Sequence, residues 1–268
     1  MWYTIIVDEG STQQQPQEKK LKKIKKSVDK CLNPCYNINV KDKREVQIMK
    51  KNYYLVIDTE TTGELNNAIV YDLGGAIVDR MGNVYETFSF VIKEMWHDNW
   101  EMLKSAYYAD KLPNYQRELI LGQRELVTYF QAKQHIENLC EEYNVKAIMA
   151  HNAMFDYKAT RNTQKFLTNG EYSNFLPYGI EIWDTMKMAQ DVIATKKSYI
   201  RFCEENGYMT KHKTPRVQVK AEVLYRFISG DNEFIESHTG LEDVLIEKEI
   251  FAYCVKQHKA MRRNLFEK

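Results

Sequence analysis

One stretch, Tyr53–Gly63, constrains the fold of this chain more than any other. Its first five residues are apolar or aromatic and run without a charge into Asp58, Thr59 and Glu60. A short apolar run of this kind is typical of a buried β-strand. Because side chains in a strand alternate between faces, Asp58 and Glu60 are expected on one face at the strand's end. Like charges buried there are costly without a cation, and oxygen ligands suit Mg²⁺ or Mn²⁺; a solvated polar turn is the alternative.

The composition favours a folded protein that stays off the membrane. The chain has 268 residues, of which 44% are hydrophobic, which is enough for a substantial core. No apolar run approaches the roughly 18 residues needed to cross a bilayer, and the N-terminus lacks the features of a secretory signal. Five scattered cysteines indicate reduced thiols and a cytoplasmic setting.

Residues 1–48 differ in composition from the rest of the chain. They carry ten Lys/Arg and six Asp/Glu, a net charge of +4, whereas the remainder has a net charge of −3. A Gln-rich stretch and a lysine run with few apolar residues predict a disordered basic extension, with a nucleic-acid-binding arm as the alternative. Met49 directly precedes the first predicted strand, so translation could also begin there. Residues 49–268 are predicted to form one domain.

Two further strand patterns follow the first. Val70–Arg80 is apolar, a Met-Gly-Asn turn follows it, and Val84–Lys93 alternates in character. A short turn between two such runs signals a hairpin, so the first three strands are predicted to form an antiparallel meander. The aromatic-rich segment 96–121 is predicted to be helical around Pro113, either packing into the core or forming a lid or partner surface.

The middle of the chain predicts a return to the sheet. Glu125–Tyr143 has apolar residues at amphipathic-helix spacing, and Val145–Ala150 reads as a buried strand that returns parallel to the first. Asn152 is then expected to cap a helix with Asp156 one turn inside it. Sites collect beyond the carboxyl ends of parallel strands, although an acidic residue at a helix start also stabilises the helix dipole.

A fifth strand and a basic segment come next. Ile180–Thr185 is predicted as a strand followed by a helix from Met186 to Thr195. Residues 196–220 form the most basic stretch of the predicted domain, which is either a solvated face or a candidate for holding phosphates. Ala221–Ile228 is predicted to be helical.

The last predicted helix carries an unusual pair. Thr239 and Glu242 match a capping box, which places His238 just before the cap and Asp243 at the fourth helical position. Those two positions meet in space and usually carry apolar residues. A histidine and an aspartate there suggest a functional use.

Taken together, these motifs resemble those of the DEDDh family of 3′–5′ exonucleases, which includes the proofreading subunit of the bacterial replicative DNA polymerase. The first motif is matched by residues 58–63, the second by residues 151–156 and the third, His-x4-Asp, by residues 238–243. A sister group has tyrosine where this chain has Thr239. The resemblance implies an α/β, ribonuclease-H-like mixed sheet of about five strands, three antiparallel and then parallel, flanked by helices.

The resemblance also implies an activity and its residues. Two divalent cations, Mg²⁺ or Mn²⁺, would be held by Asp58, Glu60, Asp156 and Asp243, with His238 as general base. These five are the candidate catalytic residues. The expected reaction removes nucleoside 5′-monophosphates from a free 3′ end of single-stranded nucleic acid, with DNA favoured and RNA allowed. Thr61 and Asn152 are candidate contacts to the terminal nucleotide.

Three alternatives and one partner stay open at this point. The chain could be a catalytically silent nucleic-acid-binding or replisome-docking module of the same fold, although none of the expected ligands is missing. It could instead hydrolyse another phosphodiester, such as a dinucleotide. A free-standing domain could also trim RNA ends rather than proofread DNA. A DNA polymerase or replication protein is the candidate partner.

Overall fold

The computed structural model describes residues 51–63 and 65–267, without the side chain of Leu65. The predictions made for residues 1–48 lie outside this part of the chain. Within it, six strands form one mixed sheet, and eight α-helices and a few shorter helical turns surround that sheet. The strands are β1 (Tyr53–Thr62), β2 (Ile69–Asp79), β3 (Val84–Ile92), β4 (Glu125–Val127), β5 (Ala147–Ala150) and β6 (Glu181–Asp184).

The helices cover both faces of the sheet. They are α1 (Trp100–Lys104), α2 (Leu112–Ile120), α3 (Tyr129–Glu142), α4 (Met154–Leu167), α5 (Thr185–Val192), α6 (Lys197–Glu205), α7 (Ala221–Ser229) and α8 (Gly240–Lys256). Short helical turns also form at Leu65–Asn67, Glu94–Asp98 and Ala109–Lys111.

The sheet has the mixed arrangement, with three antiparallel strands followed by parallel ones, that the resemblance implies. Its strand order is β4-β3-β2-β1-β5-β6. Strands β1, β2 and β3 form an antiparallel meander, whereas β5 lies parallel to β1 and β6 lies parallel to β5. The predicted fold class is therefore confirmed, with one strand more than the five expected.

The additional strand replaces the predicted start of a helix. Residues 125–127 form β4, which pairs in parallel with the end of β3 at the sheet edge, so the prediction of a helix beginning at Glu125 was wrong. The helix α3 begins only after Thr128, which forms a capping box with Gln131. Pairing with β3, a long-range interaction, decides the conformation of these three residues, and helical periodicity cannot reveal it.

Strand β1 separates two apolar layers. Leu55 and Ile57 face a cluster that includes residues of α3 and α4, while Tyr54 and Val56 face a second cluster built with α5 to α8. Because both faces of β1 are covered, the strand is apolar at successive positions rather than alternating. The carboxylates that follow Ile57 therefore emerge from the centre of the protein.

The predictions about membrane spans and about the cysteines can also be compared with the described residues. Among the described residues, no helix is both long enough and apolar enough to cross a membrane. Cys140, Cys203 and Cys254 are buried and free, and the other two cysteines lie outside the described residues. The cytoplasmic setting stays a prediction.

Candidate active site

A cavity of about 780 Å³ opens at the end of β1. Asp58 and Glu60 line it from the strand, and Asp243 and Glu247 line it from α8. His238, two residues before the start of that helix, also lines it. Glu60 and Asp243 are buried, at 9% and 5% exposure. Acidic side chains from β1 and α8, two elements that lie far apart in the chain, therefore line the same cavity.

Three of these side chains form a tight group. Glu60, His238 and Asp243 each offer a ligand atom, and these atoms all lie within 4.8 Å of one another. His238 has a φ of 52°, a left-handed conformation that turns the chain immediately before α8. The first turn of that helix then brings Asp243 back beside His238, as the sequence spacing predicts.

Asp156 lies behind this group, in the first turn of α4. Its side chain is 3% exposed and accepts a hydrogen bond of 2.8 Å from the hydroxyl of Thr59. Asp156 is not one of the described residues that line the cavity. Its charge nevertheless raises the pKa of Asp58, so it belongs to the same cluster of acids.

The buried carboxylates raise one another's pKa. Burial, and then the charge of Glu247, hold the pKa of Asp58 well above its usual range. Burial, together with nearby acids, raises the pKa of Glu60 to about 9 and that of Asp243 to about 7. Burial, and to a smaller extent the charge of Asp184, raises the pKa of Asp156 to about 7, although the hydrogen bonds that its carboxylate accepts lower it. Bound divalent cations would remove this electrostatic cost, and the oxygen-rich donor set suits Mg²⁺ or Mn²⁺.

Sequence reasoning missed two acids that line the cavity, Glu236 and Glu247, and Glu247 is the more deeply buried. It lies one helical turn after Asp243 on α8, is 3% exposed and lines the cavity. Its Oε2 atom is buried without a hydrogen-bond partner among the described residues. Burial and then the charge of Asp156 raise its pKa well above the ordinary value. An orphaned buried carboxylate oxygen that faces an acidic cavity is a further sign that the site fits a cation.

Two residues of the helical segment between β3 and β4 contact the ring and the backbone of His238. The ring of Tyr108 stacks on it, with ring centroids 4.6 Å apart and planes inclined by 12°. Lys111 hydrogen-bonds the backbone carbonyls of Ser237 and His238. Burial and the charge of Lys111 lower the pKa of His238, which favours the neutral ring that can accept a proton.

A buried ion pair fixes the start of α8 against the sheet. The carboxylate of Asp72 accepts hydrogen bonds from the backbone N–H of Gly240 at 2.9 Å and from Tyr115 at 2.6 Å. Arg124, whose side chain is 3% exposed, donates to Asp72 at 3.2 Å and to Glu242 at 3.0 Å. Removing one member of such a network leaves an uncompensated buried charge. Because the network holds the N-terminus of α8 against β2, it also positions Asp243, which lies near the start of that helix.

The same network changes the predicted helix cap. Thr239 is the N-cap residue, but its side chain makes no capping bond and instead donates to Glu242 at 2.6 Å. The predicted capping box was therefore wrong. The Glu242 carboxylate also accepts a hydrogen bond from Arg124.

The two candidate nucleotide contacts lie in different places. Asn152 lines the cavity but does not cap α4: it has a φ of 65°, and its backbone N–H donates to Asp184 at 3.1 Å. The helix begins after Ala153, so the predicted Asn152 cap was wrong and Asp156 is the third helical residue. Thr61 follows a register shift in β1 and, among the described residues, is not part of the cavity lining.

Comparisons with known proteins return nucleases of low sequence identity. Exonuclease X in complex with 5′-overhanging duplex DNA is 16% identical, with a TM-score of 0.36, over 76% of this chain and 92% of that one. Cell-death related nuclease 4 is 12% identical, with a TM-score of 0.41, over 80% and 67%. The zinc-bound E. coli exonuclease I complex with single-stranded DNA is 15% identical, with a TM-score of 0.47, over 78% and 41%.

These matches differ in how much of each protein they include. This chain spans less than half of the exonuclease I chain. No protein-family model matches the sequence, and no curated protein matches it.

Proposed function

We propose that this protein is a metal-dependent 3′–5′ exonuclease of the DEDDh type. It would release nucleoside 5′-monophosphates from single-stranded nucleic acid, with DNA favoured and RNA allowed. The observation that carries the proposal is the group formed by Glu60, His238 and Asp243, with ligand atoms within 4.8 Å of one another, beside the half-buried Asp58 and the buried Asp156. Structural acids are seldom clustered in this way without cationic partners.

The acids are suited to hold cations, and the histidine is suited to hold a proton. Asp58, Glu60, Asp156 and Asp243 would hold two divalent ions. Bound there, the ions would make an attacking water more acidic and neutralise charge on the phosphate. His238 would take the proton of that water on a ring nitrogen, because its lowered pKa keeps the ring neutral near pH 7. Glu236, whose Oε2 lies 3.8 Å from Nδ1, would then stabilise the imidazolium.

The bond changes follow from this arrangement. The water oxygen bonds to the phosphorus of the last phosphodiester, and the bond from that phosphorus to the 3′ oxygen of the preceding nucleotide breaks. The product is a 5′-monophosphate, and the shortened strand regains a 3′ hydroxyl after protonation from solvent. Asn152, which lines the cavity, would contact the departing nucleotide.

The test is digestion of end-labelled oligonucleotides. Matched single-stranded DNA, duplex DNA and RNA are incubated with Mg²⁺, Mn²⁺ or EDTA, and the shortening end is followed. We expect metal-dependent loss from the 3′ end and loss of activity in Asp243→Asn, with its folding checked by circular dichroism. An unchanged rate in Asp243→Asn, or shortening from the 5′ end, would contradict the proposal. A folded wild-type protein that binds strands without cutting them would support a silent binding module instead.

A further inference from the structure

A small hairpin stands beside the candidate active site and carries much of the basic segment. Residues 208–218 double back on themselves through a bridge between Met209 and Val217 and hydrogen bonds between Thr210 and Arg216. We call this segment the basic hairpin. Residues 206–220 contain three lysines, one arginine and one histidine but no acidic residue.

The base of the basic hairpin is tied to the site, whereas its tip projects into solvent. His151, which directly follows β5, lies 2.7 Å from the carbonyl oxygen of Val219 through Nε2, and the hydroxyl of Tyr199 donates to Gln218 at 2.7 Å. Burial lowers the pKa of His151. Its Nε2 faces a carbonyl oxygen and therefore donates to it, and its Nδ1 lies 3.0 Å from the hydroxyl oxygen of Thr185. Residues 211–216 are all exposed.

The basic hairpin separates two cavities. The active-site cavity lies on one side, and Lys211 and Lys220 reach its wall. A second cavity of about 1130 Å³ lies on the other side, where His212, Lys213 and Arg216 line it. Met209, Thr210 and Val219 line both, so the two cavities share a wall.

Apolar and basic residues make up most of the lining of the second cavity, and Glu204 is the one acid among its described lining residues. Among the described residues, Lys213 and Arg216 form no salt bridge. Basic side chains along a groove attract the phosphates of a nucleic-acid strand, and the sugars and bases of that strand can pack against the apolar lining. The apolar lining residues are Ala194, Ile200, Met209, Pro215, Val217 and Val219.

We infer that the second cavity and the basic hairpin bind the part of a single nucleic-acid strand that lies 5′ to the scissile bond. The inference rests on the proposed function. The terminal nucleotide occupies the acidic cavity, the strand crosses the hairpin, and Lys213 and Arg216 contact the phosphates behind it. Cations are needed at this point because the buried acids repel a polyanion that approaches the site.

The experiment compares a long substrate with a minimal one. Lys213→Ala/Arg216→Ala changes two exposed side chains that line only the second cavity. The control, Lys158→Ala/Lys165→Ala, removes two exposed lysines from α4, which packs on the opposite face of the sheet. Thermal melting checks that both variants are folded. Binding of a fluorescent eight-residue thymidine oligonucleotide is measured in EDTA over a range of salt, and turnover of that oligonucleotide and of a p-nitrophenyl ester of thymidine monophosphate is measured with Mn²⁺.

For the hairpin variant we expect a shallower salt dependence of binding, by about 0.7 in the logarithmic slope for each lost phosphate contact. We also expect a higher KM for the oligonucleotide and unchanged turnover of the ester, with the control variant like wild type. An active wild-type enzyme whose hairpin variant keeps the full salt slope and KM would overturn this inference alone. A wild-type protein that cleaves neither substrate would instead overturn the proposed function.

Discussion

The backbone of Gly240 crosses the backbone of Gly74 so closely that a Cβ atom on Gly74 would lie 2.1 Å from the carbonyl carbon of Gly240. The contact joins the first residue of α8 to the middle of β2. The Gly240 N–H donates to Asp72 two residues earlier on the same strand. Because Asp243 follows within one helical turn, this contact sets how far its carboxylate stands from Asp58 and Glu60.

Replacing Gly74 should therefore affect activity as well as stability. We expect Gly74→Ala to push α8 away from the sheet, to lower the free energy of unfolding by about 1–3 kcal/mol and to reduce nuclease turnover. Gly75→Ala is the matched control, because its Cβ would meet the far end of the Phe88 ring, on the other face of the sheet. Equal turnover per folded molecule in the two variants, measured after denaturant titration, would show that the contact does not set the site.

The metal-free protein should lose stability as pH rises. The pKa values of Asp156 and Asp243 are raised to about 7, and that of Glu60 to about 9. The folded state therefore holds protons that the unfolded state has released, so stability falls as pH rises from about 4 to about 9. Thermal melts in EDTA across this pH range measure the loss of stability.

Divalent cations should reverse that trend, because they bind the deprotonated acids. We expect Mn²⁺ to raise the melting temperature more at pH 8.5 than at pH 5.5. Asp243→Asn should show less of this protection. A melting temperature that rises with pH in EDTA, or equal protection at both pH values, would contradict the raised pKa values.

The elements that could be predicted from sequence are those governed by local patterns. The apolar run of β1, the turn that joins β2 and β3, and the first turn of α8 follow from spacing and turn residues alone. His238 and Asp243 could be paired because four residues make one helical turn. The meeting of α8 with β1 was inferred from the resemblance and not from any local pattern.

The features that sequence reasoning missed depend on tertiary contacts. Strand β4 exists because the end of β3 offers it hydrogen bonds. The left-handed conformation of Asn152 accompanies a bond from its N–H to Asp184. On α8, the apolar Leu245 is 39% exposed, while the acidic Glu247 is 3% exposed. The spacing of four from Asp243 was the available signal for Glu247.

Neutralising Glu247 should stabilise the protein without metal. Its Oε2 atom has no partner among the described residues, and its charge raises the pKa of Asp58. We expect Glu247→Gln to raise the melting temperature in EDTA, most clearly above pH 7, and to weaken Mn²⁺ binding in calorimetry. Glu249→Gln, at a carboxylate that pairs with Lys248, is the control and should change neither. A lower melting temperature in EDTA with unchanged Mn²⁺ affinity would assign Glu247 a packing role only.

Removing the aromatic ring that stacks on His238 should alter both rate and pH dependence. Aromatic pairs contribute about 0.5–1.5 kcal/mol, so Tyr108→Ala should lower kcat by about two- to tenfold. His238→Ala should lower it by about 10²–10⁴-fold. Because burial lowers the pKa of His238, exposing the ring should raise that pKa and move the acid limb of the pH–rate profile to higher pH.

Tyr108→Phe separates stacking from the hydroxyl group. It keeps the ring and should behave like wild type in kcat and in the position of the acid limb. If Tyr108→Ala also leaves both unchanged, the stacked geometry of Tyr108 and His238 does not position the base. If instead Phe and Ala are equally impaired, the phenol oxygen is the active part, and the ring contact is incidental to the reaction.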